Sequence, residues 1–506
     1  MSSQFHPPQS KAEADPRRWL SLAVLLIASF MNLIDVTIVN VAIPSMQKNL
    51  GADASQIEWV IAAYVLAFAL GLLPFGRLGD IVGRTRMFLL GVSAFTVASA
   101  FCGLAPSIDW LIAARVLQGL AGAMMTPQVL AIATVTFPPE ERGQSFSLFG
   151  LSAGLAAVAG PIIGGLLIGA NLGGLDWRPI FLVNVPVGIL AVALGWFLIP
   201  RTPGHPDLKN DFVGIGLFGA SMVALVYPLI EGRDYGWPAW CWTLMALALV
   251  LLALFVLWER RMASLERPQL LNYNLITNKN FLLGAGITTI FASGIPGFFM
   301  VISIMLQVGF GFTPIESGLT NTPFSVGVLA ISLIAGRFGS HYLRTRVALA
   351  AGMLLVGILW LHFIIANLGD SVDQWSFLPP LLLAGLGLGL GFSALFQTVL
   401  AGIPPRDAGS ASGALQAFQQ VGGSVGVALV GEIFFSNLGD IGALFQTGPA
   451  AVHQAFASAT ATATWYQIVS FGLVVLLVFL LKARGPAQGH GSAPAQAGPP
   501  AVAMEA

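Results

Sequence analysis

The sequence predicts an all-α integral membrane protein with fourteen transmembrane helices. Three observations lead to this fold class: a mean hydropathy of +0.81, 56% hydrophobic against 9% charged residues, and many long apolar runs. A helix crosses the hydrocarbon layer with about 20 residues, and each run is long enough to do so. Strands of a membrane β-barrel would alternate in short segments, which these runs do not. The runs cover residues 19–43, 59–76, 87–105, 110–132, 145–170, 179–199, 212–230, 239–258, 281–307, 317–336, 347–368, 377–403, 411–435 and 464–481.

The distribution of positive charge predicts the orientation of these helices. With the N-terminus placed in the cytoplasm, 19 of the 23 Lys and Arg residues fall on the cytoplasmic side. Only Lys48, Arg178 and Arg233 fall outside, and Arg115 lies within a span. Because cytoplasmic loops of membrane proteins are enriched in Lys and Arg, both termini are expected in the cytoplasm. The asymmetry supports an even number of helices, but it does not separate fourteen from twelve.

An internal repeat divides the chain. The segment GRLGDIVGRTR at 76–86 returns as GRFGSHYLRTR at 336–346, and FPPEERGQS at 137–145 returns as IPPRDAGSA at 403–411. Two homologous six-helix halves with an inserted hairpin are the simplest interpretation, and paired bundles that alternate access to a central site are typical of secondary transporters. The predicted units are a cytoplasmic N-terminus 1–18, an N-terminal bundle 19–200, a hairpin 201–267, a C-terminal bundle 268–484 and a disordered cytoplasmic tail 485–506.

Five motifs of the first 190 residues follow in the order of a known family. They are NLIDVTIVNVAIP at 32–44, GRLGDIVGR at 76–84, LIAARVLQGLAGA at 111–123, GPIIGG at 160–165 and WRPIFLVNVPVG at 177–188. With them the chain resembles the major facilitator superfamily, in its fourteen-helix drug:proton antiporter branch, although Pro179 stands where that branch usually has an aromatic residue. The resemblance implies export of amphipathic, cationic drug-like compounds from a bacterial cell by alternating access. It implies coupling to protons, contact with membrane lipids, no cofactor, and a periplasmic adaptor where the host has two membranes.

Four ionisable residues lie inside the apolar runs, namely Asp35, Arg115, His362 and Glu432. A charge at membrane depth costs about 2.5 to 3.5 kcal/mol, so each requires a reason. Asp35 and Arg115 have similar depths and are expected to lie together if helices 1 and 4 are neighbours. A carboxylate in such a place can exchange a proton for a substrate, a role that the resemblance also implies. A structural ion pair between two helices is the alternative.

Two further acids are candidates for a second proton site. Exchange of one monovalent cation for one proton moves no net charge, so the membrane potential, about 2.3 kcal/mol per charge per 100 mV, would do no work. Glu432 and Glu231, near the outer ends of their helices, would restore that driving force. The alternative is a carboxylate that reaches the interface. We expect His362 to be an interfacial or helix-bridging residue and Glu58 to be solvated.

Glycines form two other candidate elements. Gly160, Pro161, Gly164 and Gly165 predict a kinked, closely packed fifth helix that serves as the pivot of antiport, with ordinary Gly-rich packing as the alternative. The loop residues Gly76, Asp80, Gly83, Arg84 and Arg86 predict a conformational latch. In that latch Asp80 docks against the positive start of helix 13 near Gly409 and Ser410, whereas the second copy has Ser340 and is weak.

Other classes of function find little support. The net charge is zero, which argues against a nucleic-acid partner. Phosphate-loop, HExxH and Ser/His/Asp motifs are missing, and Cys102 and Cys241 have no metal-ligand spacing, so neither an enzyme nor a metal site is expected. Proton-coupled solute uptake and export of an endogenous metabolite or lipid stay open. The outer loop Ser436–Ala463 is predicted to be the longest, and it is expected to gate the outer mouth or contact an adaptor.

Overall fold

A computed structural model describes residues 16–204, 209–335, 342–400, 403, 408–439 and 441–481. Within these ranges the regular structure is helical, and thirteen helices are long and apolar enough to cross a membrane. A further helix, Pro139–Ala170, carries the apolar stretch Gly154–Ala170, which gives fourteen in the described chain. The predicted all-α membrane fold is confirmed. Residues 1–15 and 482–506, which include the predicted tail, lie outside the described residues.

We number the long helices in chain order. They are α1 Arg18–Leu50, α2 Ala54–Val82, α3 Arg84–Gly103, α4 Ile108–Thr136, α5 Pro139–Ala170, α6 Pro179–Leu198, α7 Phe212–Glu231, α8 Ala239–Ser264, α9 Lys279–Gly309, α10 Pro314–Ala335, α11 Leu343–Ala366, α12 Gln374–Leu400, α13 Ala408–Leu438 and α14 Pro449–Leu477.

The helices pack as two groups with a seam between them. In the first group α1 contacts α5, and α4 contacts α2 and α3; in the second α12 contacts α10 and α11, and α9 contacts α13. The seam is formed by α5 against α10 and by α2 against α13. The inserted helices α7 and α8 pair with each other, and α7 also contacts α2 and α13. The hairpin therefore lies beside the seam. The exact domain boundaries stay predictions.

The two ends of α1 define two opposite faces of the bundle. The termini face is the one at which α1 begins, and there Arg18 bonds Glu141 at the start of α5. The distal face is the opposite one, and there Asn49 at the end of α1 accepts a hydrogen bond from Trp177 before α6. By the predicted orientation the distal face is outside the cell.

The last helix differs from the prediction. The expected long outer loop Ser436–Ala463 is wrong, because α13 continues to Leu438 and α14 already begins at Pro449. Residues 449–463 are rich in Ala and Thr, so their hydropathy is lower than that of a span, yet Ala favours the helix and small side chains pack closely. Val452 and Phe456 are buried. Most of the segment for which a gate or an adaptor contact was predicted is therefore helical.

Candidate functional site

Asp35 lies at the meeting point of three helices of the first half. Its carboxylate is fully buried in α1. Arg115 of α4 donates from Nη1 to Oδ2 at 2.5 Å, Gln118 of α4 donates to Oδ1 at 2.8 Å, and Asn184 of α6 donates to Oδ1 at 3.1 Å. The structure thus brings Asp35 and Arg115 together as expected. Their role in coupling stays a prediction.

Arg115 is held on all sides. Its Nε donates to the Val60 carbonyl oxygen of α2 at 3.0 Å, and Nη1 also donates to Gln118 Oε1 at 2.6 Å. The guanidinium carbon lies 4.1 Å from the centre of the Tyr64 ring, a cation–π contact. The Tyr64 hydroxyl accepts a hydrogen bond from Asn32 of α1 at 2.9 Å. One guanidinium therefore connects α1, α2 and α4.

We call Asp35, Arg115, Gln118 and Asn184 the Asp35 network. Within it the carboxylate accepts three donors and its charge is balanced by the guanidinium, which is how a buried ion pair is tolerated. A proton on Asp35 would remove that balance and leave Arg115 without its counter-charge. Gln118 and Asn184 were missed as candidates, although both lie inside the motifs LIAARVLQGLAGA and WRPIFLVNVPVG. The sequence feature that could have identified them is an amide side chain within an apolar run.

A second charged group lies at the distal face. Arg233, in the loop between α7 and α8, places Nη1 3.1 Å from Glu58 Oε1 of α2 and 3.7 Å from Glu432 Oε2 of α13. Its Nε lies 3.3 Å from Asp234 Oδ1. Glu58 is fully buried, so the expectation that it is solvated is wrong. The physical reason is Gly431 of α13, whose missing side chain lets the Glu58 carboxyl pack against its Cα.

The predicted second acids lie in or beside this group. Glu432 accepts a hydrogen bond from the Trp237 indole at 3.3 Å, and Glu231 accepts one from the Trp59 indole at 2.7 Å. We call Glu58, Arg233, Asp234 and Glu432 the distal cluster. Burial lowers the pKa of the Arg233 guanidinium, but the nearby carboxylates, Glu58 foremost, together outweigh burial and raise that pKa above its ordinary value.

The predicted pivot in α5 contacts both halves. A Cβ on Gly160 would collide with the Thr37 hydroxyl of α1, and one on Gly164 would lie 2.8 Å from Ile38 Cγ1. On the other side a Cβ on Gly165 would lie 2.6 Å from the Cα of Ile315 of α10. The glycines thus let α5 approach α1 and α10 at once. The role of α5 as the pivot of antiport stays a prediction.

Pro161 leaves a carbonyl of α5 without its helical donor. A proline has no N–H, so the carbonyl oxygen of Ala157, four residues earlier, loses its usual partner. The Ser325 hydroxyl of α10 donates to that oxygen at 2.7 Å. On the same helix, a Cβ on Gly318 would lie 2.5 Å from the Pro161 carbonyl oxygen. A residue of the opposite half therefore satisfies the carbonyl oxygen that Pro161 leaves without a helical donor.

The predicted latch spans the last turns of α2 and the first turn of α3, and Gly83 forms the turn between them. Asp80 forms an ion pair with Arg84, four residues later, at 2.9 Å, and Arg86 is exposed. Gly83 has φ 107°, and a Cβ there would lie 2.6 Å from the Thr202 carbonyl oxygen, so its glycine is required by the turn. At Gly76 a Cβ would meet its nearest neighbour at 3.6 Å. Ser340 and the side chains at Gly409 and Ser410 lie outside the described residues, so the latch stays a prediction.

A cavity of about 440 Å³ opens between the halves near the distal face. At its edge Gln307 of α9 donates to the Val41 carbonyl oxygen of α1 at 3.0 Å. Among the lining residues that the structure describes, Lys48 is the one ionisable side chain, and carboxylates are missing. The other lining residues are apolar or uncharged polar, namely Pro44, Ser45, Gln47, Ile304, Val308, Phe312, Pro314, Phe435 and Phe456.

His362 connects two helices of the second half. Its Nδ1 lies 2.9 Å from the Thr464 hydroxyl and 3.0 Å from the Ala461 carbonyl oxygen of α14. The side chain is nearly buried, as a helix-bridging histidine should be. We therefore leave it out of the candidate site.

Comparison with known proteins gives the family. Residues 25–427 match the sequence pattern described as Major Facilitator Superfamily. The chain belongs to the major facilitator superfamily. This facilitator is 38% identical over 436 residues to a probable actinorhodin transporter of Streptomyces coelicolor, covering 85% of this chain and 75% of the relative. It is 33% identical to the tetracenomycin C resistance and export protein of Streptomyces glaucescens, with 87% and 80% covered.

More distant likeness agrees with these relatives. A putative multidrug resistance protein MdtD of Klebsiella pneumoniae is 31% identical, with 93% of this chain and 95% of the relative covered. The crystal structure of a bacterial homologue of the human lysosomal transporter Spinster, inward-facing and unoccupied, shares the fold with a TM-score of 0.64 at 18% identity, covering 92% of this chain and 97% of that one. The resemblance to the drug:proton antiporter branch is confirmed. The protein is a multi-pass membrane transporter of small molecules and not an enzyme.

Proposed function

We propose that this facilitator exports amphipathic drug-like compounds from a bacterial cell in exchange for protons, across the inner membrane. The observation that carries the proposal is Asp35, a fully buried carboxylate held by α4 and α6. One relative is named a probable actinorhodin transporter and another a tetracenomycin C resistance and export protein, and the second name supports the direction of transport. The sequence-based placement of 19 of the 23 Lys and Arg residues on the cytoplasmic side supports cytoplasmic termini.

The Asp35 network offers a route for coupling. While Asp35 is ionised, it holds Arg115, Gln118 and Asn184 and so ties α1 to α4 and α6. A proton on the carboxylate removes the counter-charge of a buried guanidinium, which costs several kcal/mol unless the helices rearrange. Proton arrival and departure therefore favour different arrangements of the first half. Two arrangements with different access are what an alternating transporter requires.

The cavity suggests what the substrates share. Apolar walls with Phe312, Phe435 and Phe456 suit a hydrophobic body, and the amides of Gln47 and Gln307 can orient a polar group. The cationic charge predicted from the family would find no carboxylate in the described lining, so cationic, neutral and anionic compounds all belong in the test. Glu432 and Glu231 remain the proposed sites of a second proton, which would let the membrane potential contribute.

Other proposed partners follow from position. Arg84 and Arg86 lie at the termini face, where they are placed to bind anionic lipid headgroups of the cytoplasmic leaflet. A periplasmic adaptor is proposed only for a host with two membranes. The energy source is the proton gradient, without a cofactor.

Proton release from everted vesicles tests the proposal. Vesicles with an acid interior receive a panel of lipophilic compounds of matched size and positive, zero or negative charge. We expect at least one compound to dissipate the gradient with the wild-type protein and none to do so with Asp35→Asn, because the amide cannot carry the proton.

Asp109→Asn is the matched control, since Asp109 is an acid in the first turn of α4 at the distal face. It should behave as the wild type. The export proposal fails if the protein is present and no compound changes the gradient. Substrate-dependent dissipation of a gradient of the opposite sense would instead indicate uptake.

A further inference from the structure

We propose that Arg233 of the inserted hairpin clamps the two halves together at the distal face and thereby stabilises the state that is closed there. The inference rests on the proposed alternating access and adds a role for the insert. Arg233 belongs to neither six-helix half, since it lies between α7 Phe212–Glu231 and α8 Ala239–Ser264. Its guanidinium contacts an acid of each half, Glu58 and Glu432.

The contacts converge on one guanidinium. Nη1 of Arg233 lies 3.1 Å from Glu58 of α2 and 3.7 Å from Glu432 of α13. The guanidinium carbon also lies 5.0 Å from the centre of the Phe435 ring of α13. The side chain is only 14% exposed, so solvent screens these charges less than at a free surface. The arginine thus binds the first half and the second half at once.

The clamp lies at the end of a tight seam. The Glu58 carboxyl packs against Gly431 of α13, where any larger residue would collide with it. Deeper in the membrane Ser424 of α13 donates to the Ala62 carbonyl oxygen of α2 at 3.4 Å. A Cβ on Gly423 would meet a methyl group of Val65 at 3.4 Å. Opening the distal face must separate α2 from α13 along this line.

Arg233 decides the sign of the electrostatic force across the seam. Without it, Glu58 of one half and Glu432 of the other would face each other as two carboxylates, and like charges at this range repel. With it, both are attracted to a shared cation. One carboxylate oxygen of each, and Nη2 of Arg233, make no hydrogen bond within the described chain, so the ionic bridge is their main compensation.

The rest of the hairpin loop strengthens the same bridge. Trp237 donates to Glu432 at 3.3 Å on the second half, and Ser55 at the start of α2 donates to Asp234 at 2.6 Å on the first. The loop therefore crosses the seam with one polar contact on each side of Arg233. Beneath it, α7 contacts both α2 and α13.

Labelling of a seam residue tests the clamp without any substrate. The reporter is Val65→Cys, buried at the seam, in purified protein whose Cys102 and Cys241 are replaced by Ala and which is treated with a polar maleimide. We expect Arg233→Gln to raise the rate of labelling roughly tenfold, which corresponds to about 1.4 kcal/mol. Arg178→Gln is the matched control, because Arg178 also lies at the distal face but bonds Asn49 and Ala105 within the first half. It should leave the rate unchanged.

Removal of the opposing carboxylate gives a second signature. In the Arg233→Gln background, Glu432→Gln should lower the labelling rate again, because the repulsion with Glu58 is gone. If Arg233→Gln does not accumulate, Glu432→Gln alone should raise the rate through loss of one arm of the clamp. Equal rates in the parent and either single variant would overturn the inference. Because the assay requires no transport, it can succeed even where the everted vesicles show no proton exchange.

Discussion

At the residue scale, the Asp35 network shows why arginine and not lysine occupies position 115. The guanidinium uses two nitrogens for three acceptors, on Val60, Asp35 and Gln118, and its flat face lies on Tyr64. An ammonium group is a point charge on a flexible stem and cannot hold such a planar set. The geometry of the network therefore depends on the shape of the side chain as well as on its charge.

Arg115→Lys is expected to lower transport at least about tenfold while keeping the charge, because a buried pair that loses its partners costs about 3 to 5 kcal/mol. Resistance of cells to an exported compound, corrected for the amount of protein in the membrane, measures this loss. Arg178→Lys serves as the control and should retain transport. Full activity of Arg115→Lys would show that charge alone suffices.

The sequence identifies some of these residues and misses others for a physical reason. Asp35 and Arg115 stand out because a charge in an apolar run is costly and demands a partner. Glu58 and Arg233 do not stand out, because both lie outside the apolar runs, where a charge usually faces water. The burial of Glu58 depends on Gly431, which belongs to the other half and approaches only in the folded protein.

At the scale of single elements, α5 is shaped by where its glycines face. Gly160 and Gly164 face α1, whereas Gly165 faces α10. Gly169 on the same helix has no atom within 4 Å of where a Cβ would stand. Four glycines of one helix therefore have different tolerances to a methyl group.

Gly165→Ala should destabilise the contact between α5 and α10 and reduce transport, because the new methyl group would lie 2.6 Å from the Ile315 Cα. Gly169→Ala should be neutral or stabilise the helix by up to about 1 kcal/mol. Thermal unfolding of the purified variants and export by cells both measure the difference. Similar behaviour of the two variants would contradict the close packing at Gly165.

Prediction of the elements succeeded where hydropathy was strong. Every predicted span has a matching helix in the described chain, because a long apolar run in a membrane must satisfy its backbone as a helix. The start of α14 was missed because Ala and Thr give little hydropathy, although they form a helix readily. The break in α9 before Pro296 was missed as well, since a proline inside a span does not itself reveal whether the helix bends or stops.

At the scale of the whole molecule, the two pairs of helices that form the seam between the halves differ in chemistry. The α2 and α13 pair ends in the distal cluster, where charges cross the seam. The α5 and α10 pair is joined by the Ser325 hydroxyl and the Ala157 carbonyl that Pro161 leaves free. Motion of one half against the other must break or slide both kinds of contact.

Ser325→Ala should weaken the α5 and α10 contact by about 1 to 3 kcal/mol, the cost of an unpaired buried carbonyl. In a Pro161→Ala background the same change should have little effect, since the restored N–H can bond Ala157 within the helix. Stability of the four proteins in a double-mutant cycle measures the coupling. Equal effects in both backgrounds would show that Ser325 does not compensate for the N–H that Pro161 lacks.

If Asp35 carries the proton that is exchanged for substrate, binding of a substrate to the purified protein should release a proton. The most active compound of the vesicle panel is added to purified protein in weakly buffered solution, and the change in pH is recorded. We predict proton release by the wild type and Asp109→Asn, and none by Asp35→Asn that still binds the compound. Equal release by Asp35→Asn and the wild type would contradict the account and place the exchanged proton elsewhere.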